Sequence, residues 1–279
     1  MADNKTFRAA LVQMRSSCDI ARNLADVEQL VREAAAGGAQ YIQTPENTLI
    51  MEFSRERLTS PEVCTELDLG YASLARLAEE LNIWLHIGAS PVGRGDGMMS
   101  NRSMLIGPDG QMARQYDKIH MFDADLEGGE SYRESKTYSP GDIGQLAELP
   151  WGRLGMTICY DLRFPALFRA LAKSGAHLIS APAAFTHQTG EVHWHILLRA
   201  RAIETGCFIL AAAQGGLHET GRSTYGHSLI ISPWGEVIAE ARGIETCVIL
   251  ADINTKEVDM VRKRLPSLSH DRPFRIETE

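Results

Sequence analysis

The chain lacks any run of residues apolar enough and long enough to cross a bilayer. Its longest strongly apolar stretch, Cys207–Ala213, falls far short of the roughly 20 residues a spanning helix needs. It also lacks a block of consecutive basic residues, and 28 basic against 36 acidic side chains give a formal charge of −8. That balance excludes the usual nucleic-acid and anionic-membrane binders. Cysteine is sparse and odd in number: Cys18, Cys64, Cys159, Cys207 and Cys247 form no Cys-x-x-Cys pair. A disulfide framework and a thiolate zinc site are therefore not expected, and the composition points to the cytoplasm. No His-Glu-x-x-His occurs, and His193 and His195, two apart on a helix, point about 200° from each other. No metal is expected. Neither a Gly-x-Gly-x-x-Gly nor a Walker pattern is present, so no nucleotide is expected and no other cofactor is called for. The opening Met-Ala-Asp-Asn-Lys has no apolar signal segment.

What is there is ordinary globular composition, 44% apolar and 23% charged over 279 residues. A chain of that length buries roughly 70–75% of its unfolded surface and needs no staple. No Pro/Gly/Ser-rich linker interrupts it, which favours a single domain over residues 1–279. The pattern reads strand (Phe7–Gln13), helix capped at Asn23 and ended by Gly37-Gly38, then strand (Tyr41–Thr44). A helix bearing Leu74, Leu77, Ala78 and Leu81 on one face follows, then a strand at Ile83–Ala89. A hairpin turns at Gly107-Pro108-Asp109-Gly110. The second half echoes this plan. Gly38-Ala39-x-x-Ile42-x-x-Pro45 returns as Gly175-Ala176-x-x-Ile179-x-x-Pro182, and Ser103-x-x-Ile106-x-Pro108-x-Gly110 as Ser228-x-x-Ile231-x-Pro233-x-Gly235. Recurring turn chemistry would explain such echoes by chance. Two similar αβ halves would explain them better, as two stacked mixed sheets with helices outside.

Three side chains fall where predicted strands end: Glu46 in Thr44-Pro45-Glu46-Asn47, Lys118 in Tyr116-Asp117-Lys118-Ile119-His120, and Cys159 before Tyr160-Asp161-Leu162-Arg163-Phe164-Pro165. Each has a bland alternative: a solvated loop acid, a surface ammonium, a buried core thiol. Together at one sheet edge, where open α/β sheets bind ligands, they supply a base, an oxyanion stabiliser and a nucleophile. A cysteine at a strand-to-helix turn is presented like other nucleophile elbows, and a helix N-terminus there favours thiolate.

These three stretches resemble the signatures of the nitrilase superfamily of carbon–nitrogen hydrolases, from Phe7 to Pro273. The resemblance implies an α-β-β-α sandwich, a Glu46–Lys118–Cys159 triad, and a second glutamate, Glu134, in Arg133-Glu134-Ser135-Lys136. It also implies a homodimer or higher homo-oligomer, with a tail of about residues 265–279 placed to contact the partner. The stretches Thr189-Gly190-x-x-His193-Trp194, Arg199–Glu204 and Tyr225–Ser228 look most like the Nit1 branch, which hydrolyses deaminated glutathione to 2-oxoglutarate and cysteinylglycine. The ω-amidase branch, acting on 2-oxoglutaramate, is the near relative. Where that pattern has glutamate after Arg-Phe-Pro and after His-Trp, this chain has Ala166 and His195, two acids fewer near the expected pocket.

The chemistry expected is hydrolysis of a small-molecule amide through a thioester on Cys159. Glu46 carries the proton, Lys118 and the Tyr160 N–H hold the oxyanion, and Glu134 orients Lys118. Arg163, Arg199 and Arg201 are candidate partners of a substrate carboxylate, or else they pair with Asp161 or Glu204. Phe185, Thr186 and Thr189 are placed to line the same pocket. N-carbamoyl compounds are a further substrate class, and an inactive scaffold on the same fold is the non-enzymatic alternative.

Overall fold

Alternation along the first strand, β1 (Thr6–Gln13), sets the layers. Phe7, Ala9 and Leu11 join the core between two sheets, whereas Ala10 and Val12 face a second core beneath helices, as the two-residue period of a strand buried on both faces requires. The computed structural model describes residues 5–278, so the reading of the first four residues and Glu279 lies outside it.

The first sheet takes β1, β2 (Tyr41–Gln43), β3 (Trp84–Gly93), β4 (Met99–Ile106) and β5 (Met112–Asp117). A short ribbon of β6 (Asp123–Asp125) and β7 (Ser131–Arg133) follows. The second sheet takes β8 (Gln145–Leu149), β9 (Gly152–Met156), β10 (Leu178–Ser180) and β11 (Phe208–Ala211). After a ribbon of β12 (Gly215–Leu217) and β13 (Ser223–Tyr225), it is completed by β14 (Leu229–Ile231) and β15 (Val237–Glu240). The last strand, β16 (Cys247–Asn254), returns to pair antiparallel with β1.

The sheet orders are β16-β1-β2-β3-β4-β5 and β8-β9-β10-β11-β14-β15. In each, three central strands run parallel and the flanking pairs antiparallel. The sequence echo is therefore architectural. Helices α1 (Ile20–Ala36) and α3 (Pro61–Leu81), with the single turn α2 (Arg55–Leu58) before the latter, lie on the first sheet's side. Helices α4 (Pro165–Lys173) and α5 (His187–Thr205) pack with the second, and α6 (Lys256–Arg264) follows β16. The result is the expected α-β-β-α arrangement.

Two local readings change. Asp19, not Asn23, caps α1 by accepting from Arg22 N. Asn23 is buried one turn inside the helix, where it holds Ser17 and Leu49 carbonyls at 2.9 Å. The tail beyond residue 265 runs over the surface: Asp271 pairs with Arg169 and, at 2.7 Å, with Lys173, while Phe274 and Ile276 stay exposed.

Gly88 in β3 sits where the two halves meet. A Cβ there would lie 2.0 Å from Thr44 O and 2.5 Å from Pro182 Cβ. Both neighbours belong to the turns that follow β2 and β10, so any side chain would push the halves apart. Gly88→Ala should cost about 1–3 kcal/mol by overpacking, read as a lower Tm; an unchanged Tm would contradict this close approach.

Between the sheets runs a buried polar chain: Tyr41 Oη meets His86 Nδ1 at 2.6 Å, and His86 Nε2 meets Ser103 Oγ at 2.6 Å. Burial pushes the His86 imidazole down to about 3 from its ordinary 6.5. The unfolded chain binds that proton at the higher pH, so stability is level above pH 6.5 and falls as pH drops below it. The loss is about 1.4 kcal/mol per pH unit for such a group. Denaturant unfolding between about pH 7.5 and about pH 5 checks this; His86→Gln should make the slope shallower, and an unaltered slope would contradict it.

Candidate active site

Glu46, Lys118 and Cys159 leave β2, β5 and β9 at the same edge, and the packing of the two sheets brings them into one buried cluster. They are 4%, 2% and 7% exposed. Lys118 Nζ donates to Glu46 Oε1 at 2.9 Å and to both oxygens of Glu134 at 2.9 Å. Glu134 comes from a single 3-10 turn after β7, and its Oε2 accepts from Phe122 N at 2.6 Å. Asn101 of β4, which the sequence reading missed, bridges the two acids: its Nδ2 donates to Glu46 Oε1 at 2.8 Å and to Glu134 Oε1 at 3.0 Å. The second half completes the cluster, with Ala184 N donating to Glu46 Oε2 at 2.8 Å.

The electrostatics follow from this packing. Burial alone would raise the Glu46 carboxyl. The Lys118 charge and hydrogen bond, helped by the Arg222 charge, overcome it and hold the group down at about 2. Burial likewise opposes the Lys118 ammonium, but Glu134 and Glu46 keep it well above the ordinary lysine range. Burial, and then the Glu46 charge, push the Cys159 thiol up. The expectation of a helix-stabilised thiolate is thereby corrected. The turn from Cys159 to Arg163 is one short 3-10 segment, too little dipole to outweigh burial beside a carboxylate. The resting pair is carboxylate and thiol.

Cys159 itself has a φ of +45°, a left-handed conformation that a residue with a Cβ adopts only when its surroundings enforce it. Here they do. Cys159 N donates to Pro182 O at 2.8 Å. The buried Asp161 carboxylate accepts from Ile158 N (2.9 Å), Tyr116 Oη (2.7 Å) and His120 N (3.1 Å), and its Oδ1 lies 2.6 Å from His120 Nδ1. The Cys159 turn is thus tied to residues on both sides of Lys118.

Arg163, Phe185, Thr186 and Thr189 gather in a shallow cleft that also reaches Cys159 and Tyr160. The Arg163 guanidinium lies 5.1 Å over the Phe185 ring, and the Thr186 and Thr189 hydroxyls meet at 2.7 Å. Arg199 and Arg201 are elsewhere. Arg199 is exposed and donates to Gly235 O at 2.8 Å. Arg201 is buried, clamps Leu162 O from Nε (2.9 Å) and Nη2 (2.7 Å), and pairs with Glu204 at 2.9 Å. Both are corrected from substrate contacts to structural ones. Ala166 is exposed and His195 pairs with Glu240 at 3.1 Å, so neither of these departures lines the cavity of this chain.

On the other side of Cys159 opens a cavity of about 800 Å³. Arg222, at the tip of the β12–β13 ribbon, lines both cavity and cleft. Its guanidinium donates to Ala184 O and lies 5.2 Å from the Phe53 ring and 5.1 Å from the Tyr132 ring. Gln214 was also missed: its Nε2 holds Glu46 O at 3.0 Å and Asn47 O at 3.2 Å, fixing the acid's loop. Cys159 lines both spaces, so its sulfur lies between the Arg163 side and the large cavity.

Comparison with known proteins bears on the family and the fold. The carbon-nitrogen hydrolase family matches residues 8–263. Deaminated glutathione amidase of Yersinia enterocolitica is 40% identical over 96% of this chain and 94% of its own length. Omega-amidase NIT2 of Bos taurus is 34% identical over 98% of both. Among solved structures, the C. elegans NitFhit protein superposes with a TM-score of 0.89 at 34% identity, over 96% of this chain and 65% of that one. Saccharomyces cerevisiae Nit3, of the nitrilase superfamily, gives 0.81 at 27% identity over 94% of both. The chain belongs to the carbon–nitrogen hydrolase family, as an amide-acting hydrolase of the nitrilase superfamily.

Proposed function

We propose that the protein hydrolyses deaminated glutathione to 2-oxoglutarate and cysteinylglycine through a thioester on Cys159. The observation that carries the chemistry is the buried ammonium of Lys118 between two carboxylates, beside a thiol that stays protonated. Glu46, ionised, takes the thiol proton as sulfur attacks the amide carbonyl. With one N–H given to Glu46 and one forked between the two oxygens of Glu134, Lys118 keeps its third for the oxyanion. The Cys159 N–H is spent on Pro182, which leaves the Tyr160 N–H as the backbone donor. Glu46 returns the proton to the departing amine, so that the C–N bond breaks as the thioester forms. It then deprotonates the water that splits the thioester, which frees the acid and the thiol. Glu134 keeps Lys118 aimed at the carbonyl.

Substrate choice is supported by the unequal spaces beside Cys159. The Arg163 guanidinium beside Cys159 is a cation for an anionic acyl group, and the 800 Å³ cavity has room for a dipeptide amine. Relatives at 37–40% identity bear the name deaminated glutathione amidase. Release of ammonia from 2-oxoglutaramate would leave most of that cavity empty, which makes the ω-amidase reading second.

Cys159→Ala should lower turnover by at least about 10⁴-fold with an unchanged circular dichroism spectrum; retained activity would remove the nucleophile assignment. With Glu46 held at about 2, it is ionised at every pH above that value. The kcat/KM profile should therefore show no acid limb in the ordinary carboxylate range, about pH 4–5; a limb there, in protein still folded, would contradict Glu46 as the pre-ionised base. Amine release from deaminated glutathione, 2-oxoglutaramate, an N-carbamoyl amino acid and a simple nitrile should rank in favour of the first. Any other ranking overturns the substrate.

A further inference from the structure

Arg55 of α2 lines the large cavity, yet among the described residues no acid holds it there. Its Nε and Nη2 donate to Gly97 O at 3.2 and 2.9 Å, and its Nη1 to Lys136 O at 3.4 Å. A guanidinium fixed by carbonyls keeps its full charge, and three bonds leave two of its five N–H groups unused. Lys136, also on the wall, is exposed and has no ion pair among the described residues. The other charges of this wall balance: Arg133 pairs with Asp125 at 2.8 Å, and the two acids Glu46 and Glu134 are offset by Lys118, which bonds both, and by the nearby Arg222. In a chain of net charge −8, the spare charge of this cavity is positive.

We propose that Arg55 and Lys136 form a carboxylate-binding subsite for the amine half of the substrate, so that the enzyme prefers amides whose leaving amine ends in a carboxylate, as a C-terminal dipeptide does. The inference rests on the amidase reading above. Beside Cys159, Arg163 is a second guanidinium with no acid partner among the described residues, for the acyl half. A linear amide across Cys159 thus meets a cation at each end. Planar carboxylates suit the free edge of a guanidinium, and a neighbouring ammonium adds charge without demanding geometry. An uncancelled positive wall also raises the local concentration of anionic substrate.

The test compares wild-type kinetics on deaminated glutathione, its glycine methyl ester and 2-oxoglutaramate. Methylation removes the charge and leaves the scissile amide intact, so it needs no variant. The ester should lose about tenfold or more in kcat/KM, chiefly through KM. In Arg55→Met and Lys136→Met the ratio of kcat/KM for deaminated glutathione over that for 2-oxoglutaramate should fall by a similar factor, and the acid and ester should become equivalent. Circular dichroism checks that each variant is folded. Equal turnover of acid and ester by active wild-type enzyme overturns the subsite alone. Failure of wild-type enzyme to release amine from any of the three overturns the amidase reading and the subsite with it.

Discussion

The site depends on one buried ammonium. Taking Lys118, Glu46 and Glu134 out of water costs several kcal/mol per ion, and such a cluster persists only if each charged atom finds partners. Here each does: Glu46 accepts from Lys118, Asn101 and Ala184 N, and Glu134 from Lys118, Asn101 and Phe122 N. Two carboxylates on one ammonium leave the cluster negative overall. Burial, and then the Glu46 charge, keep the proton on Cys159. In the mechanism proposed above the cluster therefore holds a ready base and a protonated nucleophile, rather than a thiolate exposed to oxidation.

The duplicated architecture explains where the cluster lies. The first half contributes Glu46, Asn101 and Lys118, and the second contributes Cys159 and the amide of Ala184. Glu46 and Ala183 occupy equivalent places, each bridging to the neighbouring strand end at Ala89 and Ala213. The acid is thus an addition to the architecture and not a requirement of it. Asp161 then couples the halves, since the carboxylate that shapes the Cys159 turn also binds Tyr116 and His120 on either side of Lys118. A shift of one sheet relative to the other would disturb base, ammonium and thiol together. The buried Gly88, with no room for a side chain, marks how closely the halves approach.

The sequence carried the fold's outline because its signals are local. Alternation in β1, the glycines after α1 and the repeated hairpin turn each report on a few neighbouring residues. Glu46, Lys118 and Cys159 were legible because each stands directly beyond a strand-like run. Asn101 was not, since inside a strand an asparagine reads only as an interruption of the apolar pattern. Its meaning comes from two acids 55 and 33 residues away in sequence. Arg222 was hidden for the same reason, in a loop whose position only the folded chain defines. Arg201 was misread although a local signal existed. It shares helix α5's buried face with Leu198, Ala202 and Thr205, and spacings of three and four point it inward, to the Leu162 carbonyl. The thiol's protonation state was beyond local reading altogether, because burial and a neighbouring carboxylate decide it.

The central claim is that the acyl group is carried on Cys159. It is tested most directly by acid-quenching wild-type enzyme within its first turnovers on deaminated glutathione and weighing the intact protein and its peptides. The account predicts an adduct equal to substrate minus the released amine, confined to the peptide that contains Cys159 and lost on longer incubation. Amine released in these turnovers while the protein's mass never changes, or an adduct on another residue, would contradict it.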